Sequence, residues 1–287
     1  MVYHVQFPGL GLDLTVNRVA LAIGGFNIYW YGVIIAAGML LAMLYAFRNA
    51  VDYGIDSDRL VDVVAIGTVM AIVCARIYYV AMAPFAYQSL WEMIDIRKGG
   101  IAIYGAVIGA FVFGALAAKW RKVPPLPLFD LVSLGFLIGQ GIGRWGNFFN
   151  CEAFGGYTDN LFAMRIKESI VNPSMISAGL LEHEIVENGV KYIQVHPTFL
   201  YESCWNLCVL AFMLWYRKRK KFDGEMLWVY FLGYGLGRVW IEGLRTDQLK
   251  LPGTGLAVSQ LLSAALVGAA VGVLHYKHSK LKKQKNI

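Results

Sequence analysis

Seven apolar runs of about twenty residues divide this chain of 287 residues. They constrain the fold more than any other feature, because a helix needs about twenty residues to cross a hydrocarbon core of about 30 Å. They lie at about 26 to 47, 60 to 82, 100 to 118, 128 to 149, 198 to 216, 225 to 243 and 256 to 276. In hydrocarbon no water is available to the backbone, so each run has to bond to itself as a helix. With 57% of residues hydrophobic and only 16% charged, the composition is that of an integral membrane protein. The expected fold is an all-α integral membrane protein of about seven transmembrane helices.

The charged connections orient these helices. The segments at 48 to 59, 119 to 127 and 217 to 224, with the tail after Tyr276, carry fifteen Lys and Arg. The residues before the first run and the connections at 83 to 99, 150 to 197 and 244 to 255 carry eight over a longer stretch. Basic connections stay on the cytoplasmic side, so the N-terminus is expected outside and the C-terminus inside. The clusters RKRKKFDG and HYKHSKLKKQKNI suit anionic membrane lipids, and no nucleic-acid partner is expected.

The expected organisation has five parts. Residues 1–25 are an N-terminal interfacial arm without the features of a cleaved signal peptide. Residues 26–149 hold transmembrane helices one to four, and 150–197 form a small extracytoplasmic head or cap. Residues 198–276 hold helices five to seven, and 277–287 form a basic cytoplasmic tail. Within the head, E-N-G between EIV and VKYIQV predicts a hairpin. The G-x-x-x-G spacings at Gly105/Gly109, Gly135/Gly139/Gly143 and Gly233/Gly237 predict closely packed helices.

Polar residues inside the runs share one depth. At about 1.5 Å of rise per residue, Arg76, Arg144 and Arg238 each sit roughly 20 to 24 Å from the inner surface. Counted from outside, Tyr31, Tyr104, Tyr201 and Glu202 lie about 5 to 8 Å deep, which is the same level. A charge at a helix centre costs about 2.5 to 3.5 kcal/mol, so three arginines at one level call for a common cause. They either pair with Glu152, Glu202 and Glu242 or snorkel outward, or they line one polar cavity open to the outer leaflet, and the shared depth favours the cavity.

Three clusters would wall that cavity. Arg144 and Asn147 are three apart and face one way, with Asn150 and Glu152 following at the mouth. Tyr234, Arg238, Glu242 and Arg245 share a second face by four- and three-residue spacing. H-P-T-F-L-Y-E places His196 at the rim and Tyr201 with Glu202 one turn below. His196 alone fits an interfacial hydrogen-bonder as well as a catalyst. Guanidiniums held by carboxylates and amides match an oxyanion such as phosphate, which at this depth would belong to a lipid headgroup.

No nucleotide loop, nucleophile-elbow serine or metal-ligand spacing occurs, so neither metal nor cofactor is expected. Cys74, Cys151, Cys204 and Cys208 are expected to be small core residues. Two other function classes use the same arginines: a lipid or anion transporter, and a scaffold that binds anionic lipid without turnover. A transporter needs a polar path onward to the cytoplasmic face, and stretches such as AAGMLLAMLYAF and LVSLGFLIG offer none.

The stretch G-R-W-G-N-F-F-N-C-E-A-F-G from Gly143 closely resembles the signature of the bacterial prolipoprotein diacylglyceryl transferases, G-R-x-G-N-F-x-N-x-E-x-x-G. Y-W-Y-G at 29 to 32, C-A-R-I-Y-Y at 74 to 79, R-K-G-G-I-A-I-Y-G at 97 to 105, H-P-T-F-L-Y-E at 196 to 202 and Y-G-L-G-R-V-W-I-E-G-L-R at 234 to 245 extend the resemblance along nearly the whole chain. The resemblance implies a cell-membrane enzyme of lipoprotein maturation that needs no cofactor. It would transfer the diacylglyceryl group of phosphatidylglycerol to the lipobox cysteine of a preprolipoprotein signal peptide, forming a thioether and releasing glycerol phosphate. It carries functional roles to Tyr31, Arg76, Arg144, Asn147, Glu152, Gly155, Tyr234, Arg238, Glu242 and Arg245. Where many members have a histidine proposed as base, this chain has Tyr104, for which a hydrogen-bonding role toward the headgroup is expected.

Overall fold

The computed structural model describes residues 2–85, 87–96, 99–251 and 253–285. Arg97 and Lys98, which open the R-K-G-G motif, lie outside the described residues, as do Met1 of the arm and Asn286 and Ile287 of the tail. The chain divides into two compact units, Met1–Leu44 with Val132–Ile287, and Tyr45–Leu131.

All seven apolar runs become helices. These are α1 (Trp30–Asn49), α2 (Ser57–Ala81), α4 (Ile103–Trp120), α5 (Pro125–Asn150), α7 (Thr198–Tyr216), α8 (Glu225–Leu244) and α9 (Val258–Lys285), with short α3 (Leu90–Ile94) and α6 (Ala178–Leu181) between them. Six are long and apolar enough to cross a membrane; α8 has the length, but Arg238 and Glu242 lower its hydropathy. Only 11% of the most apolar stretch of α1 or of α9 is buried within the chain, against 50% for α5. Such wide exposed apolar faces need an apolar solvent, which makes this a multi-pass membrane protein with α5 well enclosed.

The expectation of an all-α protein is too narrow, since the protein is mostly helical but also carries seven strands among the described residues. These are β1 (Val2–Phe7), β2 (Leu12–Asn17), β3 (Val19–Ile23), β4 (Phe26–Tyr29), β5 (Met164–Lys167), β6 (Ile185–Glu187) and β7 (Val190–Val195). Five of them form an antiparallel sheet in the order β2-β1-β5-β7-β6, while β3 pairs with β4. In VYHVQF, Tyr3, Val5 and Phe7 are buried while Val2 and His4 are exposed, the period-two pattern of a half-buried strand. The E-N-G turn joins β6 to β7 as a hairpin, with Asn188 and Gly189 both at positive φ. Because β4 occupies residues 26–29, the first helix starts at Trp30 rather than at 26.

The inner face of this sheet meets the C-terminal end of α5 and the N-terminal end of α7. Val5, Ile166, Ile193 and Val195, all fully buried, form one core with Phe148, Phe154 and Phe199. Phe148 and Phe199 lie 4.9 Å apart, and Trp145 meets Phe199 edge-on at 5.4 Å. The aromatics of G-R-W-G-N-F-F-N therefore anchor a sheet on a helix end, which leaves the polar residues between them for the site.

Within Tyr45–Leu131, α2 and α4 pack along their length. The G-x-x-x-G pair makes this possible: a Cβ on Gly105 would sit 2.3 Å from the Cys74 carbonyl oxygen, and one on Gly109 2.6 Å from Cys74 Cβ. Asp56 caps α2 by accepting from Arg59 N–H at 3.1 Å, and Arg121 pairs with Asp62 at 2.7 Å.

Candidate active site

Helix α5 delivers Arg144, Asn147 and Asn150, then stops under close control. The Tyr3 hydroxyl donates to the Phe149 carbonyl, and Arg18 donates to those of Asn150 at 2.7 Å and Ile170 at 3.2 Å, so the strand arm satisfies the helix's last carbonyls. Cys151 and Ala153 both take positive φ, 51° and 55°, uncommon for side-chain-bearing residues and costly in strain. This turn holds Glu152 back over the helix end. Its Oε1 accepts from Asn147 Nδ2 at 3.0 Å and Asn150 Nδ2 at 3.3 Å. Burial pushes the Cys151 thiol up, so it stays protonated and inert.

One turn inward, three helices meet at a carboxylate. Glu202 of α7, only 3% exposed, lies 2.6 Å from Arg144 Nη2 of α5 and 3.0 Å from Arg238 Nη1 of α8. Arg238 Nη2 pairs with Glu242 at 2.6 Å, and Glu242 lies 3.6 Å from Arg245, whose guanidinium is held by Asp247 at 2.8 Å. Buried charges survive only when each has partners, and here three guanidiniums alternate with three carboxylates. Arg144 keeps 21% of its side chain accessible and Arg238 14%, so both remain partly open beside Glu202. Tyr31 packs its ring over Gly146 on the same stretch of α5. Tyr234 lies one turn below Arg238 and stacks on Tyr230 at 5.5 Å.

The entry to α7 forms the rim. Gly155 N–H donates to the His196 carbonyl at 3.0 Å, His196 N–H to Gly156 at 3.0 Å, and Gly156 N–H to Leu244 at 2.9 Å. The turn after Glu152 is thus laced to both α7 and α8. A Cβ on Gly155 would lie 2.8 Å from both His196 Cβ and the Leu244 carbonyl oxygen, so only glycine fits. Burial lowers the His196 pKa and favours its neutral form. Its Nδ1 is 3.4 Å from the Tyr201 hydroxyl, which accepts from Asn160 Nδ2 at 3.0 Å.

Fourteen of the fifteen residues singled out in the sequence divide between these groups and Tyr104, which is 56% exposed on α4 and tilted against Tyr78 at 6.3 Å. Arg76, expected from its depth to line the cavity with Arg144 and Arg238, instead spends its donors on backbone carbonyls. It donates to the backbone carbonyls of Met93 (2.8 Å), Glu92 (2.7 Å), Gly99 (3.1 Å) and Gly100 (2.6 Å) and clamps the connection between α2 and α4. The reason is local: the carbonyls of Glu92, Met93, Gly99 and Gly100 converge on the one guanidinium and satisfy its donors. Likewise Cys204 and Cys208 are exposed, four apart on one face of α7, rather than in the core.

Sequence reasoning missed Asp247, Arg18, Asn160, Gln140 and Asn206. Arg18 had a signal, being the only Lys or Arg of residues 1–25. With Asn150, Glu152, Asn172 and Met175 it lines a cavity of roughly 460 Å³ at the end of α5.

Comparison with known proteins bears on this arrangement. The profile of the family described as prolipoprotein diacylglyceryl transferase matches residues 18–276. Phosphatidylglycerol–prolipoprotein diacylglyceryl transferase 1 of Clostridium perfringens is 40% identical over 260 residues, 90% of this chain and 92% of the relative. The corresponding transferase of Lysinibacillus sphaericus is 39% identical over 272 residues, 94% of this chain and 96% of its own. That of Clostridioides difficile is 37% identical over 272 residues, 94% of this chain and 98% of its own.

Proposed function

The chain belongs to the prolipoprotein diacylglyceryl transferase family, and from that premise we propose that it transfers the diacylglyceryl group of phosphatidylglycerol to the lipobox cysteine of a preprolipoprotein. The observation that carries the assignment of roles is Glu202 shared between Arg144 and Arg238. A phosphodiester carries one negative charge, as this carboxylate does, and can take up the remaining donors of both guanidiniums. The acceptor sulfur attacks the glycerol carbon that bears the phosphate, forming the C–S bond. The C–O bond breaks and its electron pair leaves with glycerol phosphate. Negative charge grows on the phosphate oxygens as it leaves, where the two arginines stabilise it. The thiol proton goes to Glu152, which lines the cavity at the end of α5 and among the described residues is hydrogen-bonded by the neutral amides of Asn147 and Asn150, whereas Glu242 is committed to two guanidiniums.

The same reading gives the topology. It has seven spans, including α8, with the head outside and the N-terminus with it, the C-terminus inside, in a bacterial cell membrane. Cysteines introduced at Asn160 and Lys220, with the four native cysteines replaced, are expected to differ toward an impermeant thiol reagent added to intact cells. Only Asn160→Cys should label; equal labelling, or labelling at Lys220→Cys alone, refutes the orientation.

Purified protein incubated with headgroup-labelled phosphatidylglycerol and a lipobox peptide tests the activity. A thioether-lipidated peptide and one released glycerol phosphate per transfer are expected, and movement or binding of lipid without lipidated peptide contradicts the proposal. In the same assay Tyr104→Phe should retain turnover with a defect that changes little from pH 7 to 9. The tyrosine is assigned as a headgroup donor, since a phenol hydroxyl donates a hydrogen bond to a phosphate oxygen. Collapse at pH 7 with recovery at pH 9 would make Tyr104 the base instead.

A further inference from the structure

One helical turn beneath the arginine level, the same three helices repeat a polar residue. Gln140 lies four residues before Arg144 on α5, Asn206 four after Glu202 on α7, and Tyr234 four before Arg238 on α8. A four-residue step keeps one helix face and moves about 6 Å along the axis. Each step leads away from the head-side end of its helix, so the three form a second level deeper in the membrane. Gln140 Nε2 donates to the Tyr230 hydroxyl at 2.9 Å, and Tyr230 stacks on Tyr234. Asn206 is fully buried against α5, its Cβ 3.9 Å from where a Cβ on Gly141 would lie.

Neither amide atom of Asn206 has a hydrogen-bond partner among the described residues, and neither does Gln140 Oε1. A buried amide left unpaired costs about 1 to 3 kcal/mol, so this level is built to be completed by something else. A lipid whose phosphate sat between Arg144 and Arg238 would send its chains along these helices toward the level of Asn206. The polar atoms it places one glycerol unit below its phosphate are the ester carbonyl oxygens, which accept and cannot donate. We propose that Asn206 donates through Nδ2 to an ester carbonyl of the diacylglyceryl group, and that Gln140, Tyr230 and Tyr234 form the polar wall around it.

This inference rests on the proposed transfer reaction and deepens it. The arginines hold the phosphate that leaves, while Asn206 holds the glyceryl unit that stays, so the reacting carbon is fixed from both sides.

The test compares ordinary phosphatidylglycerol with its dialkyl ether analogue, which lacks both carbonyls, in the wild-type protein and in Asn206→Leu. Wild-type kcat/KM is expected to be about three- to tenfold lower with the ether lipid, the worth of one neutral hydrogen bond. Asn206→Leu should lower the ester lipid to the ether value and leave the ether lipid unchanged. Leucine suits a buried site, and Asn206→Ala serves as a second variant should Asn206→Leu fail to insert. Equal use of both lipids by the wild type overturns the proposal. So does an equal fall for both lipids in the variant, the signature of an amide that binds only a structural water, or an ester preference that survives in it. If the wild type transfers nothing from the ester lipid, the reaction itself has been misassigned, which is a separate failure.

Discussion

Arg144→Lys and Arg238→Lys are each expected to lower kcat/KM for diacylglyceryl transfer by about a hundredfold or more, the scale of losing a donor aimed at developing negative charge. Lysine keeps the charge, so a site that needed only a positive potential would tolerate the change. The geometry demands more than charge. Arg238 reaches Glu202 through Nη1 at 3.0 Å and Glu242 through Nη2 at 2.6 Å, two directions fixed by one planar fork. An ammonium has no such fork, and on its shorter reach it can keep one carboxylate only by releasing the other or the phosphate. Arg144 likewise spends Nη2 on Glu202 and leaves its other donors for the ligand. Because Glu202 and Glu242 keep a cation beside them, both variants should insert and melt near the wild-type temperature. Near-normal turnover in either would show that charge alone suffices.

How much of this could be read from residues alone differs from one element to the next. The long helices were legible because a bilayer leaves an apolar run of twenty residues no other backbone state. The strand VYHVQF shows its alternation plainly, but its partner β5 pairs Val5 with Ile166, and nothing local announces so distant a neighbour. At the site, counting residues along each helix placed Arg144, Glu202 and Arg238 at one level, and the structure joins them into one ion-pair cluster. The same count put Arg76 at that depth, yet its donors go to the carbonyls of Glu92, Met93, Gly99 and Gly100. Depth is a property of a helix and can be counted, whereas the path of a connection between helices cannot. Asn206 escaped notice for another reason: a single amide in an apolar run looks like packing until its lack of a partner is visible.

Glu152→Gln should have the other large effect, about a hundredfold loss at pH 7 within the range typical of a missing general base. The substitution is nearly isosteric, and a glutamine oxygen can still accept from Asn147 and Asn150, so the strained turn between Cys151 and Ala153 has no reason to unravel. What disappears is the capacity to take a proton from the acceptor thiol. An ordinary cysteine has a pKa of about 8.5, so at pH 7 only a few per cent of the peptide is thiolate. As pH rises from 7 to 9 the peptide ionises without help, and the variant should regain activity by roughly tenfold or more, while the wild type changes far less. That difference separates two roles the geometry alone leaves to Glu152. A residue that only shapes the turn would give a loss of equal size at every pH, because its absence would not be cured by a ready-made thiolate. A flat pH profile in Glu152→Gln would therefore remove Glu152 as the base, and turnover close to wild type at pH 7 would remove it from the chemistry altogether.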